Sequence, residues 1–416
     1  VFDSSEFFFL KRFFVVLGGA GYLRIFQKTD TKKELKKRFG GVFMALHVDA
    51  SSIENERNIQ LRGNFLLFYA FDVGDEINLK ALQQSQKIPT FVLPLSPGFK
   101  NYHVPVSVQL ADCDVSGAQR SRTDCIAAKL HSFGVISFCY KIPFSANFEE
   151  LKSRFIEISG VYAEKAEADA AMMFKVVEPF ITKKQLFQMK ERYSAVQITP
   201  IDGLTPEYFK EAFGSKIASL LRYEKESLSD YQQEAVLASS SAYYGQDMVI
   251  IDGEAAFIYD DEYYEVLEFL EFVNIQRLEL KNFDRVLDAQ LNKFYSGDSS
   301  YELSWQSYIP MVKGKEDRLV EELARLRVDI SVIVDRLEVS IKMSGDPYHE
   351  EIYTMLVDKL LIPQWLESVN KKLSIVQDLY VIYRDRLTSI RSELMTVVII
   401  ILVGIEAYFA FLHLRG

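Results

Sequence analysis

Histidine and cysteine, the usual zinc ligands, number only five and three in 416 residues, and they are scattered. None of His47, His103, His131, His349 and His413 has a metal-binding neighbour three or four residues on, and Cys113, Cys125 and Cys139 form no Cys-x-x-Cys pair. The pattern argues against a zinc ribbon and against a disulfide framework. Unpaired cysteines fit a reducing compartment, each as a small buried apolar side chain.

Catalytic signatures are missing as well. The chain has no Gly-x-Ser-x-Gly elbow, no P-loop, no His-Glu-x-x-His helix and no kinase set. Gly18-Gly19-Ala20-Gly21 begins like a dinucleotide loop, but Arg24 stands where the third glycine belongs. No catalytic residue, cofactor or metal is therefore assigned.

Basic charge is short too. The net charge is −10, and residues 1–43 hold nine Lys/Arg against four Asp/Glu, leaving an acidic body. Such a body repels phosphate backbones, so direct nucleic-acid binding is not expected. The run Lys32–Arg38 reads as a solvated charge run in a basic, partly disordered extension over 1–63. Phe7–Leu23 is apolar, but Lys11 and Arg12 leave it too short to span a bilayer. A signal-like or interfacial segment and an ordinary strand or helix both stay open there.

One long and nearly uncharged apolar run exists, Met395–Leu414. Twenty residues at 1.5 Å rise give about 30 Å, the thickness of bilayer hydrocarbon. Twelve of the twenty are Val, Ile, Leu or Phe, contributing about −4 to −7 kcal/mol toward insertion. Glu406, near the middle and two residues from Gly404, opposes this by roughly 2.5–3.5 kcal/mol. Insertion still wins. Arg384, Arg386 and Arg391 precede the run. The positive-inside rule then keeps the body on the cytoplasmic or matrix side of a single-pass C-terminal anchor. Glu406 either faces other copies of the same helix, making a homo-oligomer, or is a tolerated acid held neutral by lipid.

Upstream, Leu366, Val369, Leu373, Val376, Tyr380, Tyr383, Leu387, Ile390 and Leu394 keep a strict 3-4 spacing. That is the coiled-coil period. A similar pattern runs from Leu319 to Ile341, and Ser344-Gly345-Asp346-Pro347 marks a turn between them. The spacing predicts an antiparallel helical hairpin, a coiled-coil-like stalk, over 316–394. Pro363 predicts a kink or restart. Whether the heptads pack on the same chain or another stays open.

Residues 64–301 read as an α+β domain with β-hairpins packed on helices. Strands are expected at Phe65–Phe71, Phe91–Leu95, Val104–Leu110, Phe133–Ile142 and Tyr193–Thr199, and a charged helix at Phe148–Glu167. Asp252-Gly253 between two apolar runs predicts a hairpin over Met248–Tyr259 with positive φ in its turn. Asp260-Asp261-Glu262 then opens a long helix to about Tyr295, complementing its dipole rather than a metal.

The order of parts resembles the Required for Meiotic Nuclear Division family, the sporulation protein Rmd group of tail-anchored proteins. The resemblance lies in FGVISFCYKIPF at 133–144, the hairpin VIIDGEAAFIYDDEYYEVLEFLEF, the helix pair, Arg391 and the Ile-rich tail with Ile405-Glu406. It implies an inner-membrane anchor, bacterial in the first instance and mitochondrial in the second, and a homo-oligomer that tethers an unidentified protein partner. No catalytic residues carry over, and only Glu406 maps onto a recurring feature of the tails. The expected function is a non-enzymatic scaffold. The alternative is a membrane-anchored enzyme with an unsignalled site in the α+β domain.

Overall fold

A computed structural model of the chain describes residues 59–92, 105–108, 125–184, 189–295 and 347–415, with single helical positions between 321 and 331. The basic extension before residue 59, most of the first stalk helix and the 344–346 turn fall outside the described residues.

Among the described residues nine strands form one mixed sheet. In chain order they are β1 (Leu61–Asp72), β3 (Thr90–Phe91), β4 (Val106–Val108), β5 (Cys125–Leu130), β6 (Val135–Ala146), β8 (Lys190–Ile198), β9 (Ser240–Ser241), β10 (Met248–Ile251) and β11 (Ala255–Tyr259). Their spatial order is β3-β4-β5-β6-β1-β8-β11-β10-β9. All pairings are antiparallel except β8 with β11. A small second sheet pairs β2 (Gly74–Ile77) with β7 (Ile181–Lys184).

Among the described residues seven complete α-helices accompany the strands: α1 (Leu79–Ser85), α2 (Phe148–Val177), α3 (Pro206–Leu221), α4 (Asp230–Leu237), α5 (Tyr264–Tyr295), α6 (Pro347–Lys359) and α7 (Ile362–Arg415). The starts of α2 and α3 follow from capping: Asn147 and Thr205 accept hydrogen bonds from Glu150 N and Tyr208 N, and Pro206 supplies a pre-set φ.

Both faces of the sheet are covered, which is why FLLFYAF in β1 shows no polar alternation. On one face Phe65 stacks on Phe144 and Phe155 with centroids 4.5 and 5.5 Å apart, and Phe209 of α3 stacks on Tyr259 at 4.8 Å. On the other, Leu66, Phe68, Tyr193 and Ile258 pack with Phe269, Leu270 and Val273 of α5. Residues 269–280 of α5 are buried at every position, because α6 and α7 cover its outer side. Between β5 and β6, Gly134 has φ +89° and lies so close to β2 that an added Cβ would fall 1.6 Å from the Gly74 carbonyl oxygen. Only glycine fits there.

The heptad seam finds its partner in the same chain. Val369, Leu373 and Val376 are buried against α5, with Leu366 and Tyr380 beside them. The helices run parallel in one register. Glu265 pairs with His349, Lys281 lies over Trp365, Asp284 accepts from Ser368, and Asp288 pairs with Lys372, each couple 84 positions apart. The restart foreseen at Pro363 is present: α6 ends at Lys359, Leu361 takes φ 58°, and α7 begins at Ile362.

Several boundaries differ from expectation. β1 begins at Leu61, so the extension yields to the domain earlier than residue 64. β6 continues through Pro143 to Ala146. β5 pairs only with residues up to Tyr140, so on that side of Pro143 no described ladder needs its missing N–H. α2 runs on to Val177, past the last charged residue of its expected span. The hairpin over 248–259 forms, but neither Asp252 nor Gly253 has positive φ. Its turn is held from outside, by Tyr193 donating to the Asp252 carbonyl at 2.7 Å and Arg277 to that of Gly253 at 3.1 Å. Cys139 is buried as expected, Cys125 is half-buried at the start of β5, and Cys113 lies outside the described residues.

Candidate functional site

Two places gather unusual chemistry: the C-terminal turns of α7 and the polar seam beneath α5. In α7, residues 395–414 are exposed at every position. The helix is long and apolar enough to cross a membrane. Gly404 and Glu406 both lie in this stretch, and at about 100° per residue they point roughly 200° apart. They therefore do not share a face. Glu406 instead shares a sector of about 100° with Thr396, Ile399, Val403, Ala410 and His413. The arginines are spread before it. Arg384 pairs with Asp385 at 3.0 Å and lies over the Tyr380 ring, Arg386 is exposed, and Arg391 is half-buried.

Beneath α5 the first cluster is built by two antiparallel strands and one helix. Lys129 of β5 and Ser137 of β6 face each other in the ladder, and Glu271 reaches down between them. Ser137 donates to Glu271 Oε1 at 2.6 Å, Lys129 Nζ lies 2.5 Å from Oε2, and His131 Nε2 is 3.1 Å from the same serine oxygen. Burial alone would raise the Glu271 carboxyl, but Lys129 beside it and the hydrogen bond from Ser137 hold it below the usual range. Burial lowers His131 to about 4, and it drives the Cys139 thiol up. A serine, a histidine and a glutamate thus meet, but not as a nucleophilic set. The hydroxyl proton goes to the carboxylate rather than to the ring, and Ser137 is 1% exposed. The cluster fixes the register of β5, β6 and α5.

One turn and more along α5, Arg277 binds Glu191 at 3.0 Å, and Lys281 binds the other oxygen of that carboxylate at 2.6 Å. Arg277 also donates to the backbone carbonyls of Arg192 and Gly253. Next comes a carboxyl pair. Asp72, at the end of β1, accepts from Asn282 at 2.9 Å, and burial raises it to about 6. Glu279 is 3% exposed, and burial, then Asp72 and Asp75, push it well above the usual carboxylate range. Its Oε1 has no hydrogen-bond partner. Among the described residues no three His, Cys, Asp or Glu side chains are arranged to hold a metal ion.

Apart from His131 and Cys139, none of these interior residues stands out in the sequence. Glu271, Arg277 and Glu279 read as the wet side of an amphipathic helix, and only the loss of any apolar contrast over 269–280 hints at burial on all sides.

Comparison with known proteins adds relatives of uncharacterised role. Residues 62–265 match the family model described as the N-terminal domain of uncharacterized protein MJ0711. The chain is 25% identical over 207 residues to "Uncharacterized protein MJ0711" of Methanocaldococcus jannaschii, covering 49% of this chain and 62% of that protein. It is 23% identical over 139 residues to "Sporulation protein RMD1" of Saccharomyces cerevisiae, covering 33% of this chain and 32% of that protein. The chain thus spans less than two thirds of each of these relatives. Together they support kinship with an Rmd-like family of unknown function. No solved structure matches the chain.

Proposed function

We propose that the chain is a membrane-anchored, non-enzymatic scaffold whose α+β domain binds a partner protein and whose tail assembles copies of itself. One observation carries the reading: a single helix, Ile362–Arg415, closes the core with its first turns and exposes apolar residues on every side in its last twenty. A helix apolar all round, without protein cover, needs lipid or other helices about it. Arg384, Arg386 and Arg391 favour a cytoplasmic or matrix-facing body, at a bacterial inner membrane first and a mitochondrial one second. The sector of Glu406, Thr396 and His413 is the favoured contact between copies, since polar side chains in lipid gain by meeting one another. Gly404, on the other side, does not join that contact.

The test is the mass of the detergent-extracted protein by light scattering, with and without residues 395–416. An assembly that falls to monomer on truncation is the expected result. A truncated chain still found in the membrane fraction, or a full chain that is already monomeric, would overturn the anchor or the assembly respectively. Glu406→Leu is expected to retain the protein in membranes while reducing crosslinked oligomers.

A further inference from the structure

Residues 226–276 contain twelve Asp and Glu and no Lys, Arg or His, a bias unlike the rest of the chain. The same stretch supplies Tyr231, Tyr243, Tyr244 and Tyr264, all largely exposed. Two of these tyrosines are held in a built surface. On the loop between β9 and β10, the amides of Tyr243 and Tyr244 donate to the buried Asp247 carboxylate at 2.9 and 2.5 Å. Their rings stand edge to face at 4.6 Å, and Tyr243 lies 5.1 Å from the Tyr348 ring of α6. Tyr243 is nevertheless 53% exposed and Tyr244 72%. Asp247, Asp260, Glu351 and Glu265 all stand close enough to Tyr348 to help burial raise its phenol. Nearby, Lys141 lies 5.6 Å from the ring centroids of both Tyr263 and Tyr264. The neighbouring turn therefore already takes one ammonium on its aromatic rings.

We propose that the face formed by Tyr243, Tyr244, Tyr348 and the surrounding carboxylates docks a Lys/Arg-rich segment of a protein partner. This rests on the scaffold reading and names the chemistry of the partner. Charge complementarity selects the occupant. Exposed rings offer cation–π contacts and flat apolar area to guanidinium and ammonium groups, and the exposed carboxylates of Glu265 and Glu351 offer ion pairs. An apolar partner would strip water from the acids without replacing it, and an acidic one would be repelled. The face lies at the start of α5, and α7 runs parallel to α5 toward the tail. Along that axis it stands about 70 Å from Met395, at 1.5 Å per residue. A basic segment held there is clear of the anionic lipid surface that would compete for it.

The experiment uses the full-length protein in micelles of a neutral detergent, with a fluorescently labelled Arg-Gly repeat peptide as probe and a Glu-Gly repeat as control. Binding of the Arg-Gly peptide alone is expected. Tyr243→Ala with Tyr244→Ala should weaken it roughly tenfold without altering charge. Tyr243→Phe with Tyr244→Phe should keep it, which separates lost rings from lost folding. Glu157→Gln with Glu164→Gln, on exposed positions of α2, should leave it within about twofold. No binding, or binding that ignores the alanine pair and falls equally with the α2 substitutions, would overturn the proposal as general attraction to an acidic protein. Neither result depends on whether residues 395–416 anchor or assemble the chain, so the scaffold reading stands or falls on its own test.

Discussion

Lys372 Nζ lies 2.7 Å from Asp284 Oδ1, and this contact sets α7 alongside α5. Asp288 holds the same ammonium from one turn further on, at 2.6 Å. Ion pairs between helices are weak when wet, but here the Lys372 and Asp284 side chains are only 18% and 15% exposed. Lys372→Glu would place a third carboxylate between two others. The expected loss is about 1–3 kcal/mol, read as a lower denaturation midpoint at unchanged denaturant slope. Adding Asp288→Lys should restore part of it. A single variant as stable as the parent would show that apolar packing of Val369 and Val376 sets the register alone.

The Lys129–Glu271 pair gives a sharper contrast. Lys129→Met leaves a buried carboxylate with Ser137 as its remaining close donor, an expected cost of about 3–5 kcal/mol. Lys129→Met combined with Glu271→Met removes both charges and should recover at least half of that, since buried pairs seldom out-stabilise apolar packing. Chemical denaturation of the three proteins checks the order. A double variant no better than the single one would mean that Glu271 is worth more to Ser137 and His131 than to Lys129.

Asp72 and Glu279 predict a pH dependence of opposite sense to that of ordinary surface acids. Both bind protons more tightly folded than unfolded. Their support for the fold is therefore full below the unfolded carboxylate values, near 3.8 for Asp72 and 4.5 for Glu279. For Asp72 it is lost as pH rises through about 6, and for Glu279 the loss continues higher. Glu279→Gln keeps the shape without the titration. The variant should match its parent near pH 4 and exceed it near pH 7, measured as unfolding free energy across the range. Parallel pH profiles for the two proteins would contradict this account.

Much of the architecture is legible in the sequence because local signals agree with tertiary ones. Asn147 before Phe148, the apolar run of β1 and the acids ahead of Tyr264 each mark an element that is present. The heptad from Leu366 was also readable as packing, but its partner was not. A 3-4 spacing specifies a seam, and it does not say that the seam meets a parallel helix 84 residues earlier. The hairpin at Asp252-Gly253 forms without the expected φ because Tyr193 and Arg277, distant in sequence, hold its carbonyls. For the same reason the burial of Glu271, Arg277 and Glu279 is hidden in the sequence: charged residues in a helix signal solvent until the elements covering both sides are known. The tyrosine face did leave a trace, the base-free stretch 226–276, visible to any count of charge by window.

The absence of a hinge inside α7 has a geometric consequence. The residues that lock into the domain and those of the apolar tail belong to one uninterrupted screw. Inserting one residue into the stretch between them, after Tyr383 for instance, would move the tail about 1.5 Å and turn it by about 100° relative to the domain. The azimuth at which the domain faces its neighbours is thus written in the number of residues between core and tail. A two-residue insertion would aim the tyrosine face close to backwards, with every side chain of the domain left in place.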